Sequence, residues 1–232
     1  MDGTDSWARS ISVSPDGKDL MAGFRSGNLA RWNIGASHAW FGKVRHVQKY
    51  SSGIRAVTWR DDLTLVVGFA DSRMLLKRAG DTLDGEEEFL AGHSDWIMSV
   101  DIVPGTKDIV SASKDGTIRL WPSEHLDAEI AIVSESDNPI SLPALDVSVL
   151  TAAMDDGVFG FAMPEGTQMF NLRIGDIPGA AWTRLTVGGA RLLTTVANDL
   201  GTFFTAIEIA TGSFAWQLPL GSHYPANGCL SP

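Results

Sequence analysis

The sequence predicts an all-β fold built from repeated four-stranded antiparallel sheets. Three observations carry this expectation. Apolar and polar residues alternate with period 2 over short runs, Gly, Pro, Asp and Ser turns separate the runs, and the pattern recurs at a near-constant interval along the 232 residues. Residues 92–121 show the pattern most plainly. They alternate from Ile97 to Val103, turn at Pro104-Gly105, alternate again from Ile109 to Ser113, turn tightly at Asp115-Gly116 and end in Ile118-Arg119-Leu120-Trp121. Aligned on that tight turn, five copies emerge, at Ser26-Gly27, Asp71-Ser72, Asp115-Gly116, Asp156-Gly157 and Leu200-Gly201, spaced 45, 44, 41 and 44 residues apart.

Each copy reads as four strands. The first has strands at 10–13, 20–24 and 29–34, the last containing Trp32, and an outer strand near 39–44. Its turn, Ser14-Pro15-Asp16-Gly17, has a proline that pre-sets φ and an Asp-Gly pair that closes the reversal. The second copy runs 54–59, 63–69, 74–78 and 86–90, and the third is 92–121 followed by an outer strand at 129–134. The fourth occupies 142–147, 149–154, 158–162 and 168–174, and the fifth 181–187, 191–196, 202–209 and 214–218. An extra residue near Asn198-Asp199 reads as a bulge or a wider turn. The copies span approximately 4–47, 48–91, 92–135, 136–177 and 178–218, one domain over 1–218, and residues 219–232, with three prolines, read as a C-terminal tail that wraps the surface or is partly disordered.

With Gly92-His93 at its start and Ile118-Arg119-Leu120-Trp121 at its end, the third copy resembles a WD40 repeat, and Ser14-Pro15-Asp16-Gly17 resembles that family's inner turn. The resemblance implies a WD40-like β-propeller of five four-stranded antiparallel blades, a count within the range known for propellers. A closed ring of five, a partial ring completed by a second chain and a sixth unrecognised unit are all open. In the family, a loop His, a second-strand Ser or Thr, the turn Asp and a third-strand Trp form a buried polar relay. The matching residues are His93, Ser111 or Ser113, Asp115 and Trp121. The other copies depart from the pattern: Thr4 stands at the His position of the first, and Lys77 and Ala162 replace Trp in the second and fourth. Blade-to-blade packing is therefore expected to be mainly hydrophobic.

Composition narrows the function. Hydrophobic residues make up 44% of the chain, enough for a real core, and 24 glycines suit a fold with many turns. The net charge of −10 argues against general nucleic-acid binding, which needs a basic face. The charge is uneven: residues 1–80 hold 12 Lys and Arg against 7 Asp and Glu, residues 81–232 hold 6 against 21. Lys43, Arg45, His46 and Lys49 form the most basic spot and Glu86-Glu87-Glu88 the most acidic. A single cysteine, Cys229, permits no internal disulfide and favours a reducing compartment. With no apolar leader and no run of 18 apolar residues, the chain is expected to be intracellular, in the cytoplasm, without a membrane span.

No motif points to catalysis. His-x-x-His, the phosphate-cradling Gly-x-x-x-x-Gly-Lys and the Gly-x-Ser-x-Gly elbow are absent. Asp155-Asp156-Gly157 lacks the alternating ligands of a calcium loop and reads as a tight turn. His93 with Asp115 fits the relay better than a catalytic or metal pair, since no third ligand follows. Asp101 and Asp146, the inner-strand acids, are the weak alternative for a site in a central channel. No metal or cofactor is expected.

The expected function is a non-catalytic protein-interaction scaffold, a subunit of a larger assembly, with protein or peptide partners. Trp7 and Trp96 hold equivalent places just before an inner strand, and Arg55 lies near the same level in the second copy. Tryptophan buries a large area with few rotatable bonds and is enriched among interface anchors. The two rings either line a partner site with Arg55 or cap the inner core. A small-molecule or glycan-binding propeller is the alternative, and a propeller hydrolase a more distant one. The divergence of the copies favours one asymmetric partner surface.

Overall fold

Among the described residues, twenty strands carry the fold. The structure, a computed structural model, describes residues 6–35, 42–80, 83–123, 131–135, 141–146, 149–154, 157–162, 167–173, 181–188, 191–198, 201–208, 211 and 213–221. The first sheet holds β1 (Ala8–Val13), β2 (Asp19–Phe24), β3 (Asn28–Asn33) and β4 (Val44–Lys49). The second holds β5 (Ile54–Trp59), β6 (Thr64–Phe69), β7 (Met74–Arg78) and β8 (Glu87–Leu90). The third holds β9 (Ile97–Ile102), β10 (Ile109–Ser113), β11 (Thr117–Trp121) and β12 (Ala131–Glu135). Next come β13 (Ser141–Asp146), β14 (Val149–Met154), β15 (Gly157–Ala162) and β16 (Thr167–Arg173), then β17 (Ala181–Gly188), β18 (Arg191–Asn198), β19 (Gly201–Glu208) and β20 (Ser213–Gly221). Among the described residues, each sheet is four chain-consecutive strands paired antiparallel in order.

The chain divides into two compact units, Met1–Ile102 with Thr106–Glu135, and Val103–Gly105 with Ser136–Pro232. In the first unit, β1 lies beside β5 and β5 beside β9, so the leading strand of each sheet neighbours that of the next. The second sheet is buried on both faces. Leu65, Val67 and Phe69 pack with Met21 and Leu29 of the first sheet, whereas Val66, Met74 and Leu76 pack with Ile97, Val100, Ile109 and Trp121 of the third. This is why β6 reads as an unbroken apolar run, TLVVGF, and not as an alternating one: neither side meets water.

Close approach sets the residue three before the tight turn in the first two sheets. A Cβ on Gly68 would sit 2.7 Å from Ile97 Cγ2, and one on Gly23 would collide with Ile54 Cγ2. Both glycines let the next sheet's leading strand lie against the second strand. The turns themselves need left-handed backbone. Gly27 and Gly116 have φ of 87° and 83°, and Ser72, at the matching place, has 68°.

In the second unit, β13 lies beside β17, and Gly160 of β15 lies under the ring of the buried Phe170.

Three sequence expectations are corrected. The outer strand of the first sheet is β4, not 39–44. Val44, His46 and Gln48 are the half-buried positions of an alternating strand, paired Trp32↔Val44 and Arg31↔His46, so Arg45, His46 and Lys49 of the basic cluster lie on this strand and Lys43 just before it. No bulge interrupts the described β18–β19 ladder, which is regular from Arg191↔Glu208 to Asn198↔Gly201, and Asp199 lies outside the described residues. The last strand runs to Gly221, past 218; Pro219 is accommodated because, among the described residues, β20 pairs with β19 alone and its ladder is irregular at Phe203↔Pro219.

Candidate functional site

Trp7, Arg55 and Trp96 lie where the neighbouring strands β1, β5 and β9 of the first unit begin, and Arg55 meets Trp96. Backbone geometry sets the face. The Trp7 carbonyl accepts from Arg25 N–H at 2.9 Å, just beyond β2, and the Trp96 carbonyl accepts from Lys114 N–H at 2.8 Å, just beyond β10. Each tryptophan is thus held beside a basic residue, and the side chains follow. The Arg25 and Arg9 guanidiniums lie 5.6 and 5.4 Å from the Trp7 ring centre, and Lys114 Nζ lies 4.7 Å from that of Trp96. In the second sheet the equivalent bond joins Ala70 N–H to Gly53 O at 2.9 Å, so two small residues stand where the flanking sheets have Trp with Arg or Lys. Gly53 is small of necessity, since a Cβ there would lie 2.7 Å from the Arg25 carbonyl.

Arg55 reaches over this low centre. Its guanidinium lies 4.6 Å from the Trp96 ring centre and donates to Met98 Sδ at 3.1 Å. Burial lowers its pKa, and the charges of Arg9 and Arg25 lower it further. Trp7 is 67% exposed and Trp96 40%, so neither ring belongs to the core.

The third sheet holds the polar network. His93 Nδ1 lies 2.8 Å from Asp115 Oδ2 and His93 Nε2 lies 2.6 Å from Ser111 Oγ, which also accepts from Trp121 Nε1–H at 2.7 Å. Of the two candidate serines, Ser111 joins the network. Ser113 Oγ donates instead to the Asp95 and Trp96 carbonyls at 3.1 and 3.0 Å and accepts from Asp115 N–H. Thr117 is a further member, donating to Asp115 Oδ1 through Oγ1 at 2.7 Å and through N–H at 2.9 Å. Burial would raise the Asp115 pKa, but the bonds from Thr117, Ser94 N–H and His93 hold it at about 2. Burial lowers that of His93, against the pull of Asp115. The arrangement is a carboxylate accepting from Nδ1–H, with Nε2 accepting from Ser111. Both ring nitrogens are engaged, and the side chain is fully enclosed.

Lys77, which stands where Trp was expected, is buried and has a different network. Its Nζ donates to Glu87 Oε1 at 2.7 Å and to Gln48 Oε1 at 2.8 Å, and Tyr50 O–H donates to the same Glu87 oxygen at 2.9 Å. This links the outer strands of the first two sheets. On the first two sheets there is also a cavity of about 450 Å³, lined by residues that include Asp19, Arg31, Asn33 and Trp59. There Arg31 pairs with Asp19 at 2.5 Å, while Arg31 Nε and Asp19 Oδ1 are buried without a hydrogen bond. Asp101 accepts from its neighbour's N–H, Ile102, at 2.9 Å, and burial raises its pKa. Asp146 closes β13, in the other unit. Thr4, Asp155, Asp156, Leu200, Cys229 and three of the five histidines lie outside the described residues. Among the described residues, no cluster of three His, Cys, Asp or Glu is placed to hold a metal, and no helix is long and apolar enough to cross a membrane.

Sequence reading missed Arg9, Arg25, Lys114 and Thr117. Arg25 and Lys114 had a signal: Trp7 to Arg25 and Trp96 to Lys114 are the same distance along the chain, as the repeat demands.

Four-stranded antiparallel sheets with neighbouring leading strands are propeller blades, and the third carries the His–Ser–Asp–Trp set. Residues 86–122 match the family model of the WD domain, G-beta repeat. The chain is 28% identical over 152 residues to a ribosome biogenesis protein, YTM1, of Candida glabrata, a match covering 58% of this chain and 32% of that protein. It superposes on a solved structure described as that of U3-55K with a TM-score of 0.77 at 16% identity, covering 94% of this chain and 68% of the other. The fold is that of a β-propeller, with a match to the WD40 repeat at residues 86–122, and the chain spans about a third of the length of the curated relative.

Proposed function

We propose that the chain is a non-catalytic protein-interaction module working as a subunit of a larger assembly, with its partner on the Trp7–Arg55–Trp96 face. The observation that carries this is the exposure of two tryptophans, each tied to a basic residue, on the side where the leading strands begin. Large aromatic rings and arginines that are solvent-exposed in the free chain are the usual anchors of a protein interface. The similarity to a protein named for ribosome biogenesis supports work inside an assembly, and an intracellular one. The enclosed His93–Asp115 pair supports a bracing role over a catalytic one, because neither ring nitrogen is left for a substrate or a metal.

Affinity capture with the intact chain tests the reading. Trp7→Ala with Trp96→Ala is expected to abolish partner capture while thermal unfolding stays cooperative. Unchanged capture by a folded double variant would refute it. A small-molecule reading has one observation in its favour, the unpaired Arg31 Nε and Asp19 Oδ1 in the cavity. An Arg31-dependent shift in melting temperature with a polyol or sugar panel would favour it.

A further inference from the structure

The charges of the Trp7–Arg55–Trp96 face make the chemistry of the partner legible, provided that this face is the partner site. Among the described residues, most basic side chains near a carboxylate take it as a partner: Lys18 with Asp16, Arg31 with Asp19, Arg60 with Asp62, Arg73 with Asp71, Lys77 with Glu87 and Arg191 with Glu208. Arg9, Arg25 and Arg55 have aromatic and sulfur contacts but no salt bridge among the described residues. Acids outnumber bases by 28 to 18 in the whole chain, so a cluster of three such arginines is a local reversal of its charge. They repel one another, as the lowering of Arg55's pKa by Arg9 and Arg25 reflects.

We infer that the Arg9–Arg25–Arg55 cluster, framed by Trp7 and Trp96, docks an acidic segment of a partner protein, whose carboxylates pair with the three guanidiniums. Charge complementarity selects the occupant. Among the described residues, the carboxylate beside Trp96, Asp95, pairs with Lys114 at 3.6 Å and not with the three arginines, so a partner's carboxylates supply their counter-charge, and guanidinium forks take these up bidentately. Small residues at Gly53 and Ala70 leave the centre of the face low between the two tryptophans, so a chain can cross it and reach Arg55. A nucleic acid is the poorer match. Each ring already has two cations within about 6 Å of its centre, where a base would have to stack.

Selection of random twelve-residue peptides against the intact chain tests the inference, with the same selection on three folded variants. The expected result is enrichment of peptides rich in Asp and Glu, bound at least tenfold more weakly by Arg9→Gln/Arg25→Gln/Arg55→Gln and weakened further by added salt. If the triple variant does not fold, Arg55→Gln alone and the salt dependence of the unmodified chain give the same reading. Enrichment of apolar or basic peptides that is lost in Trp7→Ala/Trp96→Ala would overturn the acidic partner and leave the face as the partner site. Enrichment untouched by the tryptophan changes would overturn the face itself. No enrichment at all, or tighter binding of a uridine dodecamer than of any acidic peptide, would overturn the inference.

Discussion

The Arg55 guanidinium rests 4.6 Å from the centre of the Trp96 ring, joining the leading strand of the second sheet to the start of the third. Half-exposed cation–π contacts of this kind contribute about 0.5–1 kcal/mol to stability. Arg55→Met should therefore lower unfolding free energy by no more than about 1 kcal/mol, measured in urea. Partner affinity should fall by more, by the roughly 2 kcal/mol or greater of an interface hot spot, measured by titration calorimetry. Equal losses would make Arg55 a fold residue.

His93 sits at the centre of a filled network, so its removal strands neighbours. His93→Ala should destabilise the chain by about 1–3 kcal/mol, because Asp115 and Ser111 lose a buried partner, while partner affinity stays nearly unchanged.

The same pair sets a pH dependence. The folded state lowers the His93 pKa below its ordinary 6.5, so under acid the unfolded chain takes up that proton more readily. Stability then falls as pH drops below about 6.5. The Asp115 pKa, lowered to about 2, adds a stabilising contribution that is present in full above the ordinary 3.8 and is lost as pH falls toward 2, a second loss at lower pH. Melting curves across pH 2 to 8 should show both, and His93→Ala should remove the upper one.

Asp101 works in the opposite sense. Its raised pKa means the folded chain holds the proton more tightly than the unfolded one, so stability is lost as pH rises from 3.8 through the folded value. Asp101→Asn should raise the melting temperature at pH 7 and leave it unchanged at pH 3. A lower melting temperature at pH 7 would show the carboxylate to be a needed charge.

Gly68 leaves no room for a side chain. Gly68→Ala should cost about 1–3 kcal/mol through overpacking on the fully buried Ile97, read by denaturant unfolding.

The inner parts of the fold were legible because two-sided burial leaves a plain mark. β5, β7, β10 and β14 fall on the predicted residues, since apolar runs bounded by Gly and Asp turns have few other placements. The outer strand of the first sheet was not legible. Its half-buried positions are Val44, His46 and Gln48, and the apolar cluster at Ala39, Trp40 and Phe41 drew the prediction five residues early. Ser111 and Ser113 lie two apart and so point to one face of β10; only the register with β9, which shifts between Ala112 and Ser113, separates their partners. Lys77 was legible as a departure from the repeat, but not as a buried cation, because Gln48 and Tyr50 on one side and Glu87 on the other come from distant stretches of the chain.

Amide hydrogen exchange on the chain with its captured partner tests the central claim most directly. The account predicts slowed exchange at residues 7–9, 25–27, 53–55, 96–98 and 114–116, the strand starts and turns of one face. Protection confined to the outer strands β4, β8 and β12 would contradict it.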